Sequence, residues 1–269
     1  MILKQYIPPA AEPMHLTEAK QHVKVGGVVD VTTFTADDAL LTVAISACRQ
    51  AAETEQWRAL VLQTWDLYLD GFPGGNAIRL PLPPLRAVGF VKYTDSSGVI
   101  HDFTDFTVDL ASEPGQIVLN YGCSWPSATL APSNPVHIRF QCGYLVPFTK
   151  SGSTVSILNS PFVVGDRVRL SVSGGVLPAP LAVLTDYFVT ATGLSLTAGG
   201  ADVVITAAGT GLNFIGELPA STMIGMKLIL TDLYEERGDT VIGRSTNSLP
   251  MTLPRAATHW FAMDSARHF

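Results

Sequence analysis

Apolar residues recur at helical spacing in the first sixty residues of the chain. The longest such stripe consists of Leu41, Ile45, Cys48 and Ala52. Residues three or four apart share one face of a helix, so the stripe predicts a helix with one buried face. Thr35 and the two aspartates that follow are typical of a helix start, which places this helix over about residues 36–55. A shorter helix is predicted over residues 18–25, with Thr17 as its N-cap.

After Trp57 the pattern changes to short apolar stretches separated by Gly, Pro, Asp, Asn and Ser, which is typical of strands joined by turns. The short links between these stretches favour antiparallel hairpins. The predicted strands are residues 60–69, 76–80, 88–94, 99–103, 107–110, 116–121 and 136–142.

Residues 147–217 form a second β segment with a different amino-acid composition. They carry only three basic and four acidic residues and are rich in Gly, Ser, Thr, Val and Leu. Frequent Gly and Pro between apolar stretches predict a small barrel or sandwich. Its predicted strands are residues 154–158, 167–172, 186–190, 194–197 and 203–207.

Two more helices are predicted after this segment. Pro219 suits the first turn of a helix, where its missing N–H costs nothing, and an apolar stripe then runs to a polar end before Gly238. Residues 239–254 are predicted as a loop and residues 256–266 as a last short helix.

The pattern as a whole predicts an α+β chain with a helical core, antiparallel β-hairpins and an inserted all-β domain. Residues 1–146 supply the first part of the core, with two helices followed by hairpins, and residues 147–217 form the inserted domain. Residues 218–254 return to the core with a helix and a loop. Residues 255–269 form a C-terminal tail or short helix.

Composition excludes several classes of protein. Of the 269 residues, 47 % are hydrophobic and 15 % are charged, so the chain is not disordered along its whole length. Its net charge of −6 lacks the basic footprint needed to wrap DNA or coat an anionic membrane. No stretch approaches the roughly 18 apolar residues of a membrane-spanning helix, and the first residues lack the apolar run of a secretory signal. The three widely spaced cysteines imply no disulfide framework.

The sequence contains none of the patterns expected of a catalytic, cofactor-binding or metal-binding site. It has no HExxH, no CxxC, no GxSxG and no phosphate-binding loop of the GxxxxGK[ST] type. A zinc site from Cys123, Cys142 and His137 is conceivable, but small buried thiols and a strand histidine explain these residues better. We therefore predict no catalytic residue, no cofactor and no metal.

The last ten residues combine aromatic and basic side chains. They include Trp260, Phe261, Arg267 and Phe269. Two interpretations remain open: a terminal helix that packs on the chain's own core, or an anchor that fills a pocket on a partner chain. Interface hot spots favour Trp, Tyr and Arg, and chain ends are often ordered only when something holds them.

Several stretches, taken in order, resemble the head–tail connector (adaptor) proteins of long-tailed bacteriophages. These stretches are LTEAKQHVKV at residues 16–25, ADDALLTVAISACRQAAETEQWRAL at 36–60, VLQTWDLYLDGFP at 61–73, LPLPPLRAV at 80–88, VDLASEPGQIVLNYGCSWP at 108–126 and LPASTMIGMKLILTDLYEER at 218–237. The order and spacing are similar to the family over residues 15–146, and the similarity resumes at residue 218.

The resemblance implies a structural virion protein that is not an enzyme. Such adaptors form a homo-oligomeric ring, usually of twelve copies, beneath the portal protein. The ring extends the DNA channel and seats the stopper (head-closure) or tail protein. It implies a place in the head–tail neck of the virion, with synthesis and assembly in the bacterial host cytoplasm and no membrane partner. The C-terminal residues Trp260, Phe261, Arg267 and Phe269 would bind the portal, their tail ordering on docking.

The negative net charge fits this expectation, because an acidic channel repels phosphate and lets genomic DNA pass through the lumen without specific binding. Ring contacts of this kind are heterologous, so each copy uses two different surfaces.

The β segment of residues 147–217 departs from the family, whose members usually run almost directly into the next helix. If it hangs outward from a loop, it should leave the inner ring contacts undisturbed. It also supports an alternative function, a neck or tail decoration protein whose β module binds host-surface carbohydrate. That module has no Trp, the residue that lectin-like sites often expose. A tail-associated hydrolase is a third reading, but no nucleophile–base pair supports it.

Overall fold

The computed structural model describes residues 1–24, 35–158, 160–235 and 254–266, and it shows a mixed α and β chain. The described helices are α1 (Leu16–His22), α2 (Asp38–Gln56), α3 (Ala220–Glu235) and α4 (Arg255–Ala262). The described strands are β1 (Ile2–Ile7), β2 (Gln63–Leu69), β3 (Ala77–Arg79), β4 (Leu85–Thr94), β5 (Ile100–Phe103), β6 (Phe106–Asp109), β7 (Gln116–Leu119), β8 (Val136–Cys142), β9 (Val146–Ser151), β10 (Thr154–Ser156), β11 (Arg167–Ser173), β12 (Asp186–Val189), β13 (Leu194–Ser195) and β14 (Leu212–Gly216).

The first β region is a five-stranded antiparallel sheet in the order β1-β2-β8-β4-β5. Strand β8 lies at its centre, and alternate side chains of β8 point into the core, because successive residues of a strand face opposite sides. A three-stranded sheet in the order β3-β7-β6 adds Ile78 and Ile117 to the same core. The buried β8 residues are Val136, Ile138, Phe140 and Cys142.

The second β region is a six-stranded antiparallel sheet in the order β10-β9-β14-β11-β12-β13, and it curls into a nearly closed barrel. Its two edges are bridged by residues 202–205. The Val203 amide donates to the Leu194 carbonyl on β13 (2.6 Å), and the Ile205 amide donates to the Ser153 carbonyl beside β10 (2.8 Å). This bridging protects both sheet edges, which would otherwise expose unpaired backbone groups.

The four helices pack around a third core. Helices α2 and α3 run antiparallel, because Gln56 at the end of α2 contacts Thr222 at the start of α3, and Tyr234 at the end of α3 donates to Asp37 before α2. Ion pairs hold α1 against both helices: Lys20 with Asp38 (2.5 Å), and Glu18 with Lys227 (2.8 Å).

A fourth, smaller cluster joins the barrel to the rest of the chain. Ala11, Val61, Leu145 and Phe214 are all buried in it. The Leu62 amide donates to the Leu145 carbonyl (2.9 Å), so the chain entering β2 is bonded to the chain entering the barrel. The barrel therefore does not hang from a loop: it packs against the first sheet and the N-terminal segment.

Most of the predicted strands are confirmed, with shifts of a few residues at their ends, whereas β1, β9 and β14 were not predicted from the pattern. The predicted strand at 203–207 is wrong, because this stretch closes the barrel with isolated backbone bonds. The prediction of a helical core is correct for only one of the three larger cores, since strands build the other two.

The predicted helix starts need correction. His15, not Thr17, caps α1, because its Nδ1 accepts the Thr17 backbone N–H (3.2 Å). Helix α2 begins at Asp38, and Asp37 and Asp38 bond to Tyr234 and Lys20 instead of capping backbone amides. Helix α4 covers residues 255–262, four residues shorter at its end than predicted. Gly238 and residues 239–253 lie outside the described residues. Of the described helices, none is long and apolar enough to cross a membrane.

Candidate assembly sites

The C-terminal helix α4 packs into the helical core. Its Phe261 side chain is 1 % exposed and lies over Gly225 of α3. A Cβ added at Gly225 would come within 2.3 Å of the Phe261 ring, so only glycine leaves room for this contact. Ala257, one turn earlier, is also buried. This small-residue contact fixes α4 close against α3.

A buried amide holds the C-terminal end of α4. Gln56 Nε2 donates to Thr222 Oγ1 (2.9 Å) and to the Phe261 carbonyl (3.3 Å). The backbone amide of Ala266 donates in turn to the Gln56 carbonyl (2.8 Å). Because buried amides need partners, this network fixes the C-terminal end of α4 and the backbone at Ala266 to the end of α2.

Arg58 connects the same end to the first β region. Its guanidinium donates to the Asp264 carbonyl, to the Glu113 carboxylate and to the Tyr144 hydroxyl (3.0 Å for the last). Burial raises the pKa of Tyr144 above its ordinary value. Ser221 donates to the Asp264 carboxylate as well. Arg58 thus joins the segment after α4 to the first β region and to Tyr144.

The predicted portal-binding residues fall into three groups. Phe261 belongs to the chain's own core, so the prediction of an exposed anchor needs correction at this residue: the interpretation as a terminal helix docked on its own core applies to it. Trp260 is half-buried, with its ring 6.1 Å from the His259 ring in an edge-on arrangement. Arg267 and Phe269 lie outside the described residues.

A groove that the sequence did not reveal lies between β1 and the second half of α2. We call it the α2 groove, and its volume is about 510 Å³. Its apolar lining consists of Leu3, Pro8, Pro9, Trp57, Trp65 and Leu82. Trp57 ends α2 with a left-handed backbone (φ 55°) and is 47 % exposed. The sequence shows these tryptophans and prolines only as separate residues. The fold brings them together in one groove.

Charged groups on the floor of the α2 groove are satisfied within the chain. Arg49 bonds to Glu12 (2.8 Å) and to Glu53 (2.7 Å). Glu53 also accepts from Gln63 (2.9 Å), and Gln63 accepts from Gln5 (2.6 Å). Burial raises the pKa of Glu53 despite these bonds. The floor is therefore polar in composition but offers little uncompensated charge.

The open face of the five-stranded sheet carries an ion pair flanked by aromatic rings. Arg139 donates to both oxygens of Asp66 (2.7 and 2.8 Å), and its guanidinium lies 3.3 Å from the Tyr6 ring centre. The Arg139 hydrogen bonds hold the pKa of Asp66 below its usual range. His137 stacks on Tyr68 beside this pair, with ring centres 4.4 Å apart.

Among the described residues, no group of three or more His, Cys, Asp or Glu side chains is placed to hold a metal ion. Cys48 and Cys142 are buried and Cys123 is exposed, all as free thiols. Burial raises the pKa of Cys48 to about 12.

Three solved chains with a similar fold come from gene transfer agent particles. A chain in the neck of empty gene transfer agent particles, computed with C6 symmetry, has a TM-score of 0.53 and 18 % sequence identity, over 97 % of this chain and 95 % of that one. A chain of the native gene transfer agent virion gives 0.52 and 17 %, over 97 % and 95 %. This chain has the fold of a gene transfer agent neck component.

A third similar chain, from the native neck computed with C12 symmetry, has a TM-score of 0.50 and 17 % identity over 97 % and 94 % of the two chains. No family profile matches the sequence, and no curated protein matches it. The match covers nearly all of both chains, so these neck components are about as long as this chain.

Proposed function

We propose that this chain is a structural component of the neck of a tailed, phage-like particle, where it acts as an adaptor ring between the head and the tail. The observation that carries the proposal is the end-to-end fold match to chains of gene transfer agent necks. Those necks were computed with sixfold and twelvefold symmetry. A ring of identical copies, twelve by preference, is the arrangement we propose here.

The portal protein is the proposed partner on the head side, and the stopper or tail protein is the partner on the other side. The C-terminal residues after Ala266 would contact the portal, and the bonds of Gln56 to Ala266 and of Arg58 to Asp264 hold the residues just before them. Trp260, Arg267 and Phe269 are the proposed contact residues. Phe261 acts indirectly, by fixing α4 on the core.

The charge of the chain supports a channel for DNA and not a DNA-binding site. A net charge of −6 per copy, repeated around a ring, repels phosphate and lets the genome slide past. No catalytic step is proposed: the function is assembly at one vertex of the particle.

Electron microscopy of particles whose gene for this chain carries an early stop codon tests the proposal. We expect DNA-filled or leaking heads beside separate, complete tails, because the joint between them would be missing. Complete virions that adsorb poorly to the host would contradict it. They would favour instead a decoration protein whose barrel binds carbohydrate.

A shortened chain ending at Ala266 tests the portal contact separately. We expect it to fold normally, since the bond from Ala266 to Gln56 is kept, and to lose co-purification with the portal. Retained binding would contradict a role for Arg267 and Phe269. A Trp260→Ala variant of the full-length chain distinguishes the contribution of the helix from that of the last three residues.

A further inference from the structure

We propose that the α2 groove is the surface by which each copy of this chain receives its neighbour, and that the neighbour enters with the loop between β10 and β11. This inference rests on the proposed ring and names the contact that would build it.

The exposed face of the described helix α2 is uncharged over its whole length. Its exposed residues are Ala39, Leu40, Thr42, Val43, Ala47, Gln50 and Thr54. A solvent-facing helix surface normally carries charged side chains, so an uncharged one favours burial against a partner. Gln50 and Thr54 also line the α2 groove, which makes the helix face and the groove one continuous surface.

Two tryptophans line the α2 groove, and each lacks contacts that a tryptophan normally makes. The Trp65 indole nitrogen is buried and has no hydrogen-bond partner among the described residues. Trp57 occupies a left-handed position that glycine adopts with less strain, yet exposes nearly half of its surface. An apolar side chain from an occupant would cover the exposed part of the Trp57 ring, and grooves lined by aromatic residues accept extended segments in this way.

Charge favours a second copy as the occupant. Arg49, Glu53 and Arg58 are already paired inside the chain, so the groove offers little to a nucleic acid or to a strongly charged peptide. Copies that each carry −6 repel one another, and they meet most favourably where both surfaces are uncharged.

The barrel presents such a surface. Residues 154–165 contain no charged residue, and Leu158, Val163 and Val164 are 87, 69 and 65 % exposed. Pro161 and Phe162 of this loop line a cleft with Arg86 and Tyr144 that shares no lining residue with the α2 groove. Each copy thus carries two different apolar surfaces, which is the requirement for a heterologous ring.

Photo-crosslinking tests this contact in assembled particles. With p-benzoylphenylalanine in place of Trp57, we expect a product of twice the 28.7 kDa chain, whose linked peptide comes from residues 154–166. The same group in place of Tyr121, a fully exposed aromatic residue that does not line the groove, should give no link to that peptide. A link from position 57 to another protein, to another part of this chain, or to nothing would overturn the proposal.

Two variants check the result without relying on crosslinking. The thermal unfolding midpoint of the purified Trp57→Gly chain should stay within a few degrees of the wild-type value. Its incorporation into necks should fall at least tenfold. Val163→Asp together with Val164→Asp should do the same from the other surface. Normal incorporation of either folded variant would overturn the contact while leaving the neck function intact, whereas absence of the wild-type chain from necks would overturn both.

Discussion

Asp66 is a single residue that contributes strongly to the stability of the five-stranded sheet. It is 4 % exposed, lies on the open face of a sheet and meets both donors of the Arg139 fork. A bidentate arginine–carboxylate pair is stronger and more directional than an ordinary hydrogen bond. Tyr6 lies against the other side of the same guanidinium and ties β1 to the pair. The edge strand is therefore held by side chains as well as by its backbone ladder.

Replacing Asp66 by Asn should lower the free energy of unfolding by about 2 kcal/mol, because the partly buried Arg139 guanidinium loses its charged, bidentate acceptor. Urea unfolding at pH 7 measures this value. Asp102→Asn is the matched control: Asp102 pairs with Lys92 on the same sheet but is 69 % exposed, so its loss should cost less than about 0.5 kcal/mol. Equal effects of the two variants would contradict the argument.

The same pair predicts a pH dependence. The pKa of Asp66 is lower in the folded chain than in the unfolded one, so its contribution is present above about pH 4 and is lost as the pH falls through the lowered pKa. The stability difference between the wild type and Asp66→Asn should therefore shrink between pH 5 and pH 2 in urea unfolding, on the order of the whole difference. A difference that stays constant over this range would show that the carboxylate acts by packing alone.

At the scale of elements, the contact between α3 and α4 depends on a residue that helix propensity disfavours. Glycine inside a helix costs about 1 kcal/mol relative to alanine. At Gly225 the packing of Phe261 offsets this cost, because the Phe261 ring occupies the space that a side chain would need. The last helix is thus placed by packing, and with it the start of the proposed portal-binding residues.

Gly225→Ala should destabilise the chain by about 2 kcal/mol, although helix propensity alone would favour alanine by about 1 kcal/mol. Limited proteolysis should also cut near α4 faster than in the wild type. Gly74→Ala is the control, since a Cβ there meets nothing within 4 Å and the change should be almost neutral. A stabilised Gly225→Ala chain would mean that α4 does not lie against α3 in solution.

The sequence predicts an element well when the pattern that defines it lies within the element itself. The stripe of Leu41, Ile45 and Cys48 predicts α2 because a helix is defined by its own spacing. Strand β1 lacks such a signal: its exposed residues are stabilised by pairing with β2, more than fifty residues away. Residues 203–207 have a strand-like pattern but form no strand, because they close the barrel through isolated backbone hydrogen bonds.

The functional surfaces show the same limit more strongly. Trp260 and Phe261 are neighbours in a conspicuous aromatic tail, yet one is half-buried and the other is enclosed by α3. The α2 groove combines Leu3, Trp57 and Leu82, which come from three separate elements. No spacing rule connects such residues, so a groove of this kind becomes visible only when the chain is folded.

At the scale of the whole molecule, the barrel is an integral part of the body. Phe214 from β14 packs with Val61 and Leu145, and Ser171 of β11 donates to the Glu12 carbonyl (3.1 Å). The barrel is thereby held at a fixed place relative to α2 and the first sheet. That fixed place matters for the proposed ring, because a rigid body can present the β10–β11 loop and the α2 groove in a constant relation.

Phe214→Ala tests this integration, because all four tryptophans, at positions 57, 65, 125 and 260, lie outside the barrel. Removing the buried ring should cost about 3 kcal/mol. If the barrel and the rest of the chain stabilise one another, tryptophan fluorescence must report this loss as a lower urea midpoint, although no tryptophan is near a barrel strand in sequence. Leu212→Ala, at a 52 % exposed position of the same strand, should leave the midpoint almost unchanged. A tryptophan transition that stayed at the wild-type midpoint would show that the barrel does not stabilise the rest of the chain through Phe214.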